Sequence, residues 1–189
     1  MAVSFTDERR LRILDAAAAV LTANPRASLA EVAGAAGMGR TTIHRYFPGR
    51  HDLLVALADD ALESIEQAIA AARPGEGSAV DAMARIAAAV LPLADRFRFL
   101  EQGPEVWDVE DLDERWSSLA EVLDGIVDRG KRTGEIRAAV PTSLVTEVFA
   151  GALWAVGEAV SDGRVAAADA VPGLVAILGD GLRPGPHGP

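Results

Sequence analysis

The sequence predicts an all-helical fold of about nine helices, and three observations carry that expectation. Apolar residues recur three and four positions apart over most of the chain, the spacing of one helix face. Strand-like alternation is scarce. Glycines and prolines fall between the periodic stretches, where they separate helices. Of the 189 residues half are hydrophobic but only 5% are aromatic, so the core must be built mainly from Ala, Leu and Val. The length allows one large domain or a small domain fused to a larger one.

The first helix is expected over residues 6–22. Thr6 caps it, Asp7 and Glu8 suit its positive end, and Asn24-Pro25 stops it. Leu11, Leu14, Ala18 and Leu21 form its inner face. The next stretch, SLAEVAGAAGMGRTTIHRYF, spans residues 28–47 and reads as two short helices around a turn. Leu29, Val32, Ala33 and Ala36 make one apolar face, and Ser28 with Glu31 makes a capping box. Gly37 can take a positive φ and turn the chain. In the second helix Ile43 and Phe47 point inward. Arg40, Thr41, Thr42, His44 and Arg45 point outward, with Tyr46 at the rim. A merely solvated face usually carries Glu and Lys, which are good helix formers. This one has no acid from Arg40 through Arg50 and offers guanidinium, hydroxyl, imidazole and phenol groups. Such groups suit phosphates and base edges, and the second helix of a helix-turn-helix enters the major groove. Thr41, Thr42, His44 and Arg40 are the expected base readers. Arg45, Tyr46, Arg50 and Ser28 are the expected phosphate contacts.

The run GMGRTTIHRYFPGRHDLL also resembles the signature of TetR/AcrR-type transcriptional repressors. That pattern has a recognition helix ending in Tyr46-Phe47, a two-residue loop at Pro48-Gly49, a basic Arg50 and a long helix from His51. The likeness covers roughly the first 65 residues. Gly39 stands where the family usually has a Ser cap, and His44 where a Tyr is frequent. The resemblance implies a dimer joined by the last two long helices. It also implies a palindromic double-stranded operator and release by a small molecule that shifts the fourth helix.

The fourth helix is expected over residues 51–73, with Leu54, Leu57, Ala61, Ile65, Ala68 and Ala72 in one stripe. It would join a DNA-binding domain of residues 1–50, whose helix-turn-helix spans about 29–47, to a body of residues 74–180. Further helices are expected over 78–91, 93–101, 111–132, 141–160 and 166–178, with a loop over 102–110 and a disordered tail over 181–189. The helices over 141–160 and 166–178 are apolar over more than one stripe, which calls for cover on both sides. A second copy across a two-fold axis supplies it most economically. Phe149, Leu153, Val156, Leu174 and Leu178 are the expected homodimer contacts. Phe97, Phe99, Trp107, Trp116, Leu119 and Trp154 are the expected lining of an effector pocket, with plain core packing as the competing account.

Net charge is −10, yet it is unevenly placed. Residues 1–52 carry seven arginines against five carboxylates, a net of +2, and the remainder carries 11 basic and 23 acidic residues, a net of −12. A basic head and an acidic body would direct the head to DNA. With no cysteine there is no disulfide framework or thiolate chemistry. The histidines are His44, His51 and His187, none in the body, so neither a catalytic triad nor a metal set is expected there. No catalytic residue, metal or cofactor is expected. The N-terminus has no signal-peptide layout, and no apolar run is expected to reach the ~20 residues of a membrane span. The expectation is a cytoplasmic, ligand-responsive DNA-binding regulator, a repressor released by a small apolar or amphipathic molecule. The competing reading is an architectural DNA-binding protein without an effector.

Overall fold

The computed structural model describes residues 5–94 and 110–183. Every regular element in it is helical. In chain order these are α1 (Phe5–Ala23), α2 (Leu29–Ala35), α3 (Arg40–Tyr46), α4 (Arg50–Ala71), α5 (Ala79–Val90), a 3-10 turn (Leu91–Leu93), α6 (Glu110–Thr133), α7 (Thr142–Ser161) and α8 (Ala167–Leu182). The expected helix over 93–101 and loop over 102–110 lie almost wholly outside the described residues. Contacts divide the chain into two compact units, with the division falling inside α4 between Glu63 and Ser64.

The first unit contains α1 to α3, the first part of α4 and residues 110–114. Its core joins Ile13, Leu14, Ala17 and Leu21 of α1 to Leu29, Val32 and Ala33 of α2, Ile43 of α3 with Phe47 just beyond it, and Leu53, Leu54 and Leu57 of α4. The inner face of α1 is therefore rotated from the expected one. Leu11 is exposed, and Ile13 and Ala17 take the core positions. Sequence spacing suits either stripe, and packing against α2 selects one.

The second unit contains the rest of α4, α5, the 3-10 turn, most of α6, α7 and α8. Here α8 packs on both α5 and α7, and α7 packs on the 3-10 turn. Contact at that turn is close. A Cβ built on Gly157 would lie 2.5 Å from the Ala94 Cβ, so only glycine lets α7 approach this near. A polar ladder ties α6 to α7: the buried Thr146 hydroxyl donates to Asp124, the Thr142 hydroxyl to Asp128, and Lys131 to Thr142. Arg115 of α6 grips Glu66 of α4 through both carboxylate oxygens, at 2.8 and 2.9 Å.

Arginines also secure the irregular segments. Arg85 donates to the carbonyls of Ala72, Arg73 and Glu76, holding the turn after α4. Arg137 donates to the carbonyls of Gly181 and Arg183, beyond the last helical hydrogen bonds of α8. That cap explains why α8 continues to Leu182, four residues past the expected end at Leu178, and why residues 181–183 are ordered helix and cap where a disordered tail was expected. α8 also accommodates Pro172 within its length.

α7 corrects a second expectation. It is 20 residues long with a mean hydropathy of 1.3, long and apolar enough by length and composition to cross a membrane. Only 28% of that window is buried in the chain. One face packs on α8 and the 3-10 turn. The other leaves Leu144 and Val148 at 52% and 48% exposure, and Ile177 of α8 is 74% exposed.

Candidate nucleic-acid interface

The turn between α2 and α3 closes through two hydrogen bonds around a left-handed glycine. Gly37 has φ of 67°. Its N–H donates to the Gly34 carbonyl at 3.1 Å, and the Met38 N–H donates to the Ala33 carbonyl at 2.8 Å. This pairing satisfies carbonyls that a helix end would otherwise leave open. At the start of α2 the capping box is present: the Ser28 hydroxyl accepts from the Glu31 N–H, and the Glu31 carboxylate accepts from the Ser28 N–H at 2.8 Å. The carboxylate also accepts from the Ser28 hydroxyl at 2.8 Å. These bonds, the backbone one foremost, hold the Glu31 carboxyl below its ordinary value. They also engage the hydroxyl that was expected to meet a phosphate.

α3 starts at Arg40, with Gly39 as a cap that has no side-chain hydrogen bond. Ile43 and Phe47 are buried and fix the inner side. Arg40, Thr41, His44 and Arg45 are exposed, and Thr42 and Tyr46 are half-buried. The structure thus brings six of the eight expected DNA-contact residues onto one seven-residue helix, five of them on its open side and the Tyr46 ring at its end. The Arg45 guanidinium lies 5.4 Å from the centre of the Tyr46 ring, a cation–π distance. His44 Nδ1 lies 3.2 Å from the Pro48 carbonyl oxygen.

Arg50 has a different occupation from the one expected. Its guanidinium donates to the carbonyls of Pro25 at 2.5 Å and Ala27 at 3.3 Å. It pins the loop between α1 and α2 to the start of α4, and its side chain is partly buried in doing so. Sequence reasoning missed this because the acceptors are backbone carbonyls, which carry no residue signature. Sequence reasoning also missed an open cleft of about 480 Å³ in the first unit, lined by Arg10, His51, Asp52, Val55, Asp59 and Leu112 among others.

The body residues separate into several groups. Phe97, Phe99 and Trp107 lie outside the described residues. Trp116 is 42% exposed, so it stands at the surface, while Leu119 is half-buried. Trp154 is half-buried, and its indole Nε1 is buried with no hydrogen-bond partner among the described residues. A small apolar cavity of about 20 Å³ lies between α5, α7 and α8, lined by Met83, Phe149, Leu174 and Leu178 among others. Of the expected dimer contacts, Phe149 and Leu174 are buried within the chain itself, and Leu153, Val156 and Leu178 are half-buried. Phe149 and Leu174 fill the body because α7 and α8 turn those positions toward α5. The side chains left outward are Leu144, Val148 and Ile177.

A tightly turned helix pair with a donor-rich second helix, in one chain with a helical body, defines the class of helix-turn-helix DNA-binding regulators. Comparison with known proteins narrows the class. The family model described as bacterial regulatory proteins, tetR family, matches residues 13–57. The HTH-type transcriptional repressor LfrR of Mycolicibacterium smegmatis is 34% identical over 158 residues, covering 83% of this chain and 82% of LfrR. The HTH-type transcriptional regulator NfxB of Pseudomonas aeruginosa is 29% identical over 160 residues, covering 84% and 86%. The crystal structure of LfrR in complex with proflavine superposes with a TM-score of 0.80 at 30% identity, covering 96% of this chain and 99% of that one. The chain belongs to the TetR family. It is a DNA-binding transcriptional regulator and not an enzyme.

Proposed function

We propose that the protein is a ligand-responsive repressor that binds a palindromic operator as a homodimer and is released by a small apolar or amphipathic molecule. The observation that carries the reading is the open face of α3, where Arg40, Thr41, His44 and Arg45 stand exposed on a helix whose inner side is fixed by Ile43 and Phe47. Each copy places α3 in a major groove, with the two half-sites about one helical turn (~34 Å) or a multiple apart. The exposed Leu144, Val148 and Ile177 of α7 and α8 support a two-fold contact between copies, which would take these large apolar side chains out of water. The protein acts in the cytoplasm, where its operator is.

The effector reading rests on two supports. LfrR, the similar repressor, has been crystallised with proflavine. In this chain the buried Nε1 of Trp154, without a partner among the described residues, is a donor that a bound molecule would satisfy. An effector acts by binding the DNA-incompatible state more tightly than the DNA-bound one, and the coupling is reciprocal.

The test starts from DNA fragments selected out of a random pool with the full-length protein. Enrichment of a two-fold-related site, bound at two chains per half-site pair, is expected. Adding proflavine should release the DNA in a saturable way. Selection of no sequence would remove the DNA-binding reading. A selected site that no concentration of proflavine or a related amphipathic dye affects would favour the effector-independent architectural reading.

A further inference from the structure

His44 has one ring nitrogen already assigned. Its Nδ1 lies 3.2 Å from the Pro48 carbonyl oxygen. A carbonyl can only accept, so a hydrogen bond between the two needs the hydrogen on Nδ1. In a neutral imidazole that leaves Nε2 with a lone pair and no hydrogen. The ring is on the exposed face of α3, one turn after Arg40 and Thr41, and Nε2 lies across the ring from the nitrogen held by Pro48. The other polar groups on that face are donors or hydroxyls.

Resting on the reading of α3 as the groove-facing helix, we propose that His44 is a specificity-determining residue that reads an exocyclic amino group, adenine N6 or cytosine N4, through an Nε2 acceptor fixed by the Pro48 carbonyl. In the major groove adenine and cytosine present amino donors, whereas guanine and thymine present the O6, N7 and O4 acceptors at the corresponding edge. Two acceptors facing each other repel, so the fixed tautomer rejects guanine and thymine on the strand that His44 meets. The Pro48 carbonyl has a positional role: it is set just past the end of α3, where it holds the ring in place.

The experiment uses the full-length protein and the site it selects from a random DNA pool at pH 8. Selection with wild type, His44→Ala and His44→Arg identifies the position in each half-site that responds to this side chain. Adenine or cytosine is expected there for wild type. His44→Ala should lose the preference, and His44→Arg, a pure donor, should shift it to guanine. Replacing the base by its amino-free analogue, purine for adenine or 2-pyrimidinone for cytosine, should weaken wild type roughly two- to tenfold, the range for one neutral hydrogen bond, and leave His44→Ala unchanged. A long-range nitrogen–proton correlation spectrum of the DNA-free protein should show His44 protonated on Nδ1 alone. Guanine or thymine at the responding position, equal sensitivity of wild type and His44→Ala to amino deletion, or an Nε2–H tautomer would each overturn the proposal. If a site is enriched and no position in it responds to His44, the inference falls while the regulator reading stands. If no site is enriched at all, both fall.

Discussion

Two arginines, Arg45 and Arg50, are five positions apart in sequence and do opposite work. Arg50 holds the Pro25 and Ala27 carbonyls, whereas Arg45 rests its guanidinium over the half-buried Tyr46 ring. Arg50→Ala should therefore destabilise the fold by about 1.5–3 kcal/mol, the range for hydrogen bonds from a charged donor, which urea unfolding will read. Arg45→Ala should leave stability unchanged and lower the slope of log K against log salt by about 1. Finding the larger stability loss at Arg45 would reverse the two roles. The Ser28–Glu31 box makes a second prediction. The folded state holds the Glu31 carboxyl below its ordinary value, so its contribution to stability is present above the unfolded value and is lost as pH falls through the folded one. Glu31→Gln should be less stable than wild type at neutral pH, and the gap should close in acid; a gap independent of pH would show that the carboxylate charge is irrelevant. The box was legible in the sequence because its two side chains bond each other at fixed spacing. The place of Arg50 was not, because it depends on where the chain puts carbonyls 23 and 25 residues away.

At the level of elements, helix existence and order could be read from periodicity and punctuation, while faces and ends could not be read as surely. Leu11 and Ile13 are both plausible inner residues of α1 until α2 packs against it and buries Ile13. α8 runs to Leu182 because Arg137, a residue from another segment, donates to carbonyls at its end. Gly157 shows the same dependence on a distant partner. Its lack of a side chain is what lets α7 meet Ala94. Gly157→Val should cost about 1–3 kcal/mol through overpacking, measured as a fall in the thermal midpoint. An unchanged midpoint would mean that α7 can move away from the 3-10 turn without loss. Gly151, exposed on the same helix with nothing among the described residues near its Cβ position, is the control and should accept Ala without a comparable loss.

For the molecule as a whole, the outward side chains of α7 and α8 test the proposed homodimer. Val148→Glu and Ile177→Glu should yield folded monomers, because both positions are exposed in the chain, whereas Phe149→Glu should unfold it, because that ring is buried in the body. Light scattering together with circular dichroism separates the outcomes, and a wild type that stays monomeric at micromolar concentration would remove the homodimer. That the last two helices are apolar on more than one side was legible in the sequence. Which residues face out was not, since an apolar stripe does not say whether its partner is in the same chain. The exposed patch has a consequence for gene dosage. Where two chains must meet before either can hold an operator, the number of competent molecules follows the square of the number of chains while assembly is incomplete. Halving the concentration of chains then removes about three quarters of the assembled pairs, so a homodimer would turn a modest fall in expression into a larger fall in operator occupancy.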